Sequence, residues 1–503
     1  MKLSKYLGYI FLLLATLAAC KKDNGNYDYK ELPDFYIDTV GVQKTFETPQ
    51  SIGTVVITPK VVYNGSESNL EYLWRVYGTT ADTLSREKEF RSVIANNPGT
   101  YTAELQVKEK TTGIRALMRY TIIVNSPRPY GWLVAYETQA GGSTDVALIR
   151  STEIVKTITT DVVMRNIYSE VNGGPLAGTP VSIVSNVSSP AADMLFTSQT
   201  AVRLNRPDYK KLQDFNQLFV AGAPTPKPEA VMEVPFFGNH LINDGEVYWQ
   251  YSGLFIGKIS VDTKGYKAAP FGYAIYGKNG GFYDMLNRRF IYMEQQLSQA
   301  ATYASPKAGS TARFNLGNIG KDLVYVGIGF GQNGVSSNPD TYKYAFFEDI
   351  DKSKRWFYGI NFTLPDQPDL CMVDISAMPN IFNAKYFELG TLGSVAFYAN
   401  DQILYNFTYN NATNTASTPS VAFTAPAGEV ITSIKLLKQP GSGYTGTESK
   451  SNRIMYVATW NAATKNGKVY LLDANPTSGS LMATPLKVYD GFGKIKEMCL
   501  KPA

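Results

Sequence analysis

Histidine occurs once in 503 residues, at His240, and cysteine three times, at Cys20, Cys371 and Cys499. Those shortages exclude a good deal of chemistry. A Ser-His-Asp or Cys-His device would have to use His240 or do without it. A histidine-based zinc site is ruled out, and no Cys/His zinc spacing or Cys-X-X-Cys pair is present. Gly-X-Ser-X-Gly, His-Glu-X-X-His, Walker and dinucleotide fingerprints are also missing, so neither metal nor cofactor is expected. Charged residues make up 18% of the chain, below the ~25% of ordinary globular proteins. The 48 basic and 43 acidic side chains are nearly balanced and no Lys/Arg run occurs, which argues against a nucleic-acid partner. After residue 20 no apolar stretch approaches the ~18 residues of a membrane span. No long amphipathic helical pattern appears either.

What the chain does have begins at its N-terminus. Lys2 and Lys5 precede an apolar segment from Leu7 to Ala19, which ends in Leu17-Ala18-Ala19-Cys20. A basic start, a short apolar middle and small residues at the end describe an export signal over 1–19. About 13 apolar residues are too few to span a ~30 Å hydrocarbon core stably. The Leu-Ala-Ala-Cys ending resembles a bacterial lipobox. That resemblance implies cleavage before Cys20 and lipid attachment to it, and acyl chains hold a protein to a membrane at roughly 0.8 kcal/mol per buried methylene. Residues 20–35 are polar and aperiodic, a flexible tether.

From Tyr36 to Ser126 the pattern is that of a small β-sandwich. Leu70, Tyr72, Trp74 and Val76 share one face of a strand, with Glu71 and Arg75 on the other. Tyr101, Ala103, Leu105 and Val107 alternate with polar residues, and so do Met118, Tyr120, Ile122 and Val124. Trp74 is the expected centre of the core. Tyr72-Leu73-Trp74 and Pro98-Gly99-Thr100-Tyr101 resemble the pattern of PKD domains, which are immunoglobulin-like sandwiches; the acidic loop usual after the tryptophan strand is missing. The resemblance implies a spacer or binding module. Asn125-Ser126-Pro127-Arg128-Pro129 then stiffens the chain and marks a boundary.

Residues 130–503 read as short strands separated by Gly, Asn, Asp and Pro. Segments stand out from Trp132–Glu137 to Glu246–Tyr251 and again from Leu323–Phe330 onward, ending in Val430–Leu437, Arg453–Thr459, Lys468–Leu472 and Leu486–Tyr489. Four-stranded sheets repeated radially make a β-propeller, and about 370 residues at roughly 50 per blade give about seven blades. One strand, Lys494 to Leu500, is left over. It is expected to complete the first blade and close the ring. The fold class is therefore all-β: a PKD-like sandwich followed by a propeller.

The composite resembles the PKD-like lipoproteins of Bacteroidota, on Cys20-Lys21-Lys22-Asp23, Gly25-Asn26-Tyr27-Asp28-Tyr29, the Trp74 strand, Pro98 to Tyr101 and Gly131-Trp132-Leu133-Val134. Kinship of that kind implies a lipid-anchored protein of the outer membrane and cell surface, working with a Sus-type uptake system. Its partners would be a TonB-dependent channel, that channel's lidded lipoprotein and a glycan or peptide ligand. The expected role is non-catalytic binding. A propeller-borne polysaccharide lyase or glycoside hydrolase, needing only two carboxylates, and a structural adhesin are the alternatives. Candidate ligand contacts are His240, Trp249, Tyr251, Trp356 and Trp460, against the competing reading of core packing. Cys371 and Cys499 sit in apolar runs and read as inert core thiols. Glu348 to Ser353 reads as a hairpin turn more than a calcium loop. Asp38-Thr39 and Asp82-Thr83 resemble O-glycosylation acceptors of exported Bacteroidota proteins.

Overall fold

The computed structural model of the protein describes residues 33–78, 85–185, 192–234, 238–251, 253–273, 280–294, 300–331, 342–438 and 450–502, without the side chains of 232–234 and 238. The export signal, Cys20 and Asp82-Thr83 lie outside the described residues. The chain divides into two compact units, one ending at Asn125 and the other starting at Ser126.

The first unit contains β1 (Phe35–Ile37), β2 (Thr45–Pro49), β3 (Thr54–Ile57), β4 (Val61–Tyr63), β5 (Leu70–Tyr77), β6 (Phe90–Val93), β7 (Gly99–Glu109) and β8 (Arg115–Asn125). A four-stranded sheet runs in the order β2-β8-β7-β5, with β3-β6 and β1-β4 as separate pairs. Only β2 is parallel to its neighbour β8. The alternation along β5 buries Leu70, Trp74 and Val76 and leaves Glu71 and Arg75 in solvent. Trp74 has no exposed surface. Its ring lies 5.2 Å from that of Phe90 and 5.5 Å from that of Tyr120. Its Nε1 donates to the Glu87 carbonyl at 3.1 Å, so the indole is buried without stranding its one polar atom.

The second unit is a seven-bladed propeller: its described residues form seven sheets. The first blade holds β9 (Gly131–Glu137), β10 (Ser143–Arg150) and β11 (Val162–Met164), followed by helix α1 (Ile167–Asn172) and the short β12 (Leu176–Ala177). Blade 2 is β13 (Pro180–Val184), β14 (Ala192–Thr197), β15 (Ala201–Asn205) and β16 (Lys211–Asp214). Blade 3 is β17 (Pro228–Val234), β18 (Gly238–Asn243), β19 (Glu246–Tyr251) and β20 (Leu254–Lys258). Blade 4 is β21 (Ala268–Tyr273), β22 (Gly281–Asp284), β23 (Arg289–Met293) and β24 (Ala300–Thr302). Blade 5 is β25 (Asp322–Ile328), β26 (Tyr342–Glu348), β27 (Arg355–Asn361) and β28 (Asp369–Asp374). Blade 6 is β29 (Tyr386–Leu389), β30 (Val395–Ala399) and β31 (Ile403–Asn410), with β32 (Thr415–Ala416) and β33 (Ser420–Thr424) sharing the outer position. Blade 7 is β34 (Glu429–Leu436), β35 (Ile454–Asn461), β36 (Asn466–Asp473) and β37 (Lys487–Phe492).

The last strand, β38 (Lys494–Lys501), crosses into blade 1 and pairs antiparallel with β9, Cys499 opposite Leu133. It supplies the inner strand that the first blade lacks. The inner strands then form a closed circuit: β38 touches β13, each blade's inner strand touches the next, and β34 returns to β38. Closure covers the free edge of β9 and seats each blade between two neighbours. Lys435 of β34 and Glu497 of β38 pair across this seam at 2.8 Å. Burial works against the Lys435 ammonium, but the Glu497 and Glu388 carboxylates outweigh it and hold its pKa above the usual lysine value.

Blades pack face to face, so their middle strands are buried on both sides; Trp132 through Tyr136 are all buried. For the same reason the sequence of the fourth blade carries no strand pattern. Its strands are three to six residues long, and β21 includes Pro270 and Gly272. A doubly buried short strand has no alternation to read.

Candidate ligand-binding face

Within each four-stranded meander, the turn joining the second and third strands falls at the same end as the link to the next blade. These segments together make one face of the ring. On it, between blades 5 and 6, lies an open depression of about 540 Å³ lined by Phe382, Asn383, Ala384, Lys385, Asn400, Asp401 and Gln402. One wall is the blade link, with a 3-10 turn over Ile381–Asn383. Ile381 is fully buried in the core between the two blades, while the next residue, Phe382, is 41% exposed. Two tyrosines of blade 6 pin this link: Tyr398 donates to the Pro379 carbonyl at 2.9 Å, and Asn380 donates to the Tyr405 hydroxyl at 2.8 Å.

The opposite wall is the β30–β31 turn. Asn400 Oδ1 accepts the backbone N–H groups of Gln402 and Ile403, both at 2.8 Å, which fixes the turn. Gln402 donates to the Glu429 carbonyl at 3.1 Å. Lys385 and Asp401 pair across the depression at 2.6 Å. Behind Phe382 stands Arg355, 4% exposed, its guanidinium carbon 5.5 Å from the ring centroid. Burial lowers the Arg355 pKa, opposed by Glu348, which accepts from Nη2 at 3.1 Å.

A second depression on the same face, about 360 Å³, lies between blades 3 and 4 and is lined by Glu246, Lys258 to Asp262, Gly265 and Tyr266. Tyr266 ties its floor together, donating to the Ile259 carbonyl at 3.0 Å and accepting from Val247 N–H at 3.1 Å. Arg289 bridges Asp262 and the buried Asp284 at 2.7 and 3.0 Å, and the Asp262 pKa is lowered mainly by that guanidinium. These acids are committed to holding turns.

The residues singled out from sequence are not brought together. His240 is fully buried on β18, and its Nδ1 accepts the Gln250 backbone N–H at 3.2 Å. It presents no surface to a ligand. Trp249 and Tyr251 share one side of β19, ring centroids 6.3 Å apart, near the ring's other face. Trp249 packs against the core between blades 3 and 4, whereas Tyr251 is 59% exposed. Trp356 is the second residue of β27 in blade 5, half-buried, with Lys321 and Lys354 over its ring at 4.9 and 5.2 Å and its Nε1 donating to Asp349 at 3.1 Å. Trp460 is half-buried near the end of β35 in blade 7. Glu348 to Ser353 make the β26–β27 hairpin turn, where Lys352 takes a φ of 60° and Asp351 accepts from Ser353. Cys371 is a free thiol buried in blade 5, and Cys499 is half-buried in blade 1. Among the described residues no group of three or more His, Cys, Asp or Glu side chains is placed to hold a metal ion, and no helix is long and apolar enough to cross a membrane. Sequence reasoning missed Phe382, Lys385 and Asp401. The one signal was an apolar pair, Ile381-Phe382, set between asparagines.

No curated protein sequence matches the chain. Several solved structures do. A quinonprotein alcohol dehydrogenase-like protein of Bacteroides thetaiotaomicron is 13% identical, with 94% of this chain and 100% of that one covered and a TM-score of 0.42. The Dos1 propeller is 9% identical over 73% of this chain and 90% of that one, TM-score 0.41. The extracellular domain of a one-component system protein of B. thetaiotaomicron is 10% identical over 79% and 56%, TM-score 0.39. Sheet order and ring closure by themselves make the second unit a propeller. In sequence, residues 20–180 match the model of the PKD-like family.

Proposed function

We propose that this protein is a lipid-anchored surface protein that captures a nutrient ligand, a glycan or a peptide, without transforming it, as an accessory to a Sus-type outer-membrane uptake system. The observation that carries the reading is the open depression beside Phe382, whose lining is built for contact: an exposed ring, side-chain amides and an internally neutralised ion pair. Propeller faces gather many loops around one ring, a common seat for binding. The buried His240, bonded to backbone, fits a structural role. The Leu17-Ala18-Ala19-Cys20 ending and the polar tether after it supply the anchor in this reading.

The test has two arms. Feeding cells an alkyne fatty acid labels the wild-type protein and leaves Cys20→Ala unlabelled. Deleting the gene slows growth on the captured polymer while the purified full chain releases no product from it. An unlabelled wild type, or release of shortened glycan, overturns the proposal.

A further inference from the structure

We propose that the depression between Phe382 and the Lys385–Asp401 pair binds a neutral sugar ring of an oligosaccharide. This rests on the capture reading above and narrows it to one site and one class of ligand. At about 540 Å³ the depression falls inside the range of small-molecule sites. Its one aromatic side chain, Phe382, is held still. Ile381 anchors the turn in the core, two tyrosines of blade 6 grip the link, and Arg355 lies against the ring. A fixed flat ring suits the C–H face of a pyranose, which is apolar and rigid, with little entropy left to lose on stacking.

Around that ring the partners are directional and uncharged in sum. Asn400 spends its oxygen on the turn, which leaves its amide hydrogens for a ligand. The Asn383 amide lines the wall, and Lys385 and Asp401 each retain donor or acceptor capacity beyond their mutual contact. Hydroxyl groups donate and accept at once, so they can use both members of an ion pair. An acidic or basic ligand would find no net charge to attract it, because the pair already cancels. A peptide in extended form would pair with a strand edge, and the lining here consists of turns and link residues.

The experiment uses the full chain in detergent and isothermal titration with maltohexaose, cellohexaose, laminarihexaose and mannohexaose. Polygalacturonate and a casein peptide digest serve as charged and peptide probes. The expected result is binding of at least one neutral hexasaccharide, weakened about tenfold or more by Phe382→Ala and retained by Phe382→Trp. Unchanged thermal melting of both variants shows that the fold survives. Wild-type saccharide binding that Phe382→Ala leaves intact overturns this site and leaves the capture reading standing. Phe382-dependent binding of polygalacturonate or peptide instead of the neutral sugars overturns the ligand class alone. Failure of the wild type to bind any of the probes overturns both.

Discussion

Trp132 and Tyr456 stack face to face, ring centroids 3.8 Å apart and planes 6° from parallel. Trp132 belongs to blade 1 and Tyr456 to blade 7, and both are buried. The stack therefore sits at the seam where the ring meets itself. Either residue changed to alanine should cost about 3–5 kcal/mol. The double variant should cost less than the two separate losses together, by about 0.5–1.5 kcal/mol of coupling, because the partners touch. Guanidinium unfolding of the four proteins measures this, and strict additivity would show that the stack contributes nothing of its own.

Asp161 makes the same seam sensitive to pH. Burial opposes its ionisation, yet it accepts from Thr152 N–H and Oγ at 2.8 Å and from Tyr489 at 2.9 Å, and pairs with Lys487 of blade 7 at 3.1 Å. The balance brings its pKa down to about 2. A carboxylate with a depressed folded pKa stabilises above its unfolded value near 4, and that stabilisation is lost as pH falls toward 2. Asp161→Asn should lower stability by about 1–2 kcal/mol at pH 7, and the difference should shrink steadily as pH falls from about 4 through 2. Urea midpoints of the two proteins across that window decide it; a pH-independent difference would contradict the assignment.

Gly493 joins β37 to β38 where two backbones nearly touch. A methyl group there would overlap the Glu137 carbonyl oxygen, and one at Gly467 would overlap the Gly493 carbonyl. Backbone cannot swing aside as a long side chain can. Gly493→Ala should cost about 1–3 kcal/mol. Thermal melting should show it, with a larger effect than Gly257→Ala, where an added methyl group would meet nothing within 4 Å and the backbone is not left-handed.

Trp74 offers a separate test within the first unit. Replacing it by alanine removes contacts with Phe90 and Tyr120 and leaves the Glu87 carbonyl without its indole donor. A loss of about 3–5 kcal/mol is expected from denaturant unfolding of this unit's core.

Cys371 should be chemically silent in the folded protein. Burial pushes its thiol up to about 12, against an ordinary value near 8.5. Iodoacetamide at pH 8 should leave it unmodified, as read by peptide mass spectrometry, and should label it fully in guanidinium.

The all-β class and the closing strand were legible because they depend on local pattern. Leu70 to Val76 alternate, and Lys494 to Leu500 is a strand left over after the last meander. The fourth blade was not legible: with both faces of its short strands covered, Phe282, Tyr283, Phe290 and Ile291 are all fully buried and carry no alternation. Burial also takes His240 out of solvent, while Trp249, Trp356 and Trp460 are half-buried and lie on three different blades. An aromatic residue in sequence does not say on which side of a strand its neighbour will sit.

By itself, then, the sequence determined that the chain makes two β units and that the second repeats as a ring. Periodicity, turn residues and the shortage of histidine are properties of short stretches, and short stretches can be read alone. Only the tertiary structure decided that Trp132 stacks on Tyr456, that Asp161 meets Tyr489, and that Phe382 faces outward opposite Lys385 and Asp401. Those pairings join residues brought together by ring closure and by the packing of one blade on the next, and nothing local in the chain encodes them.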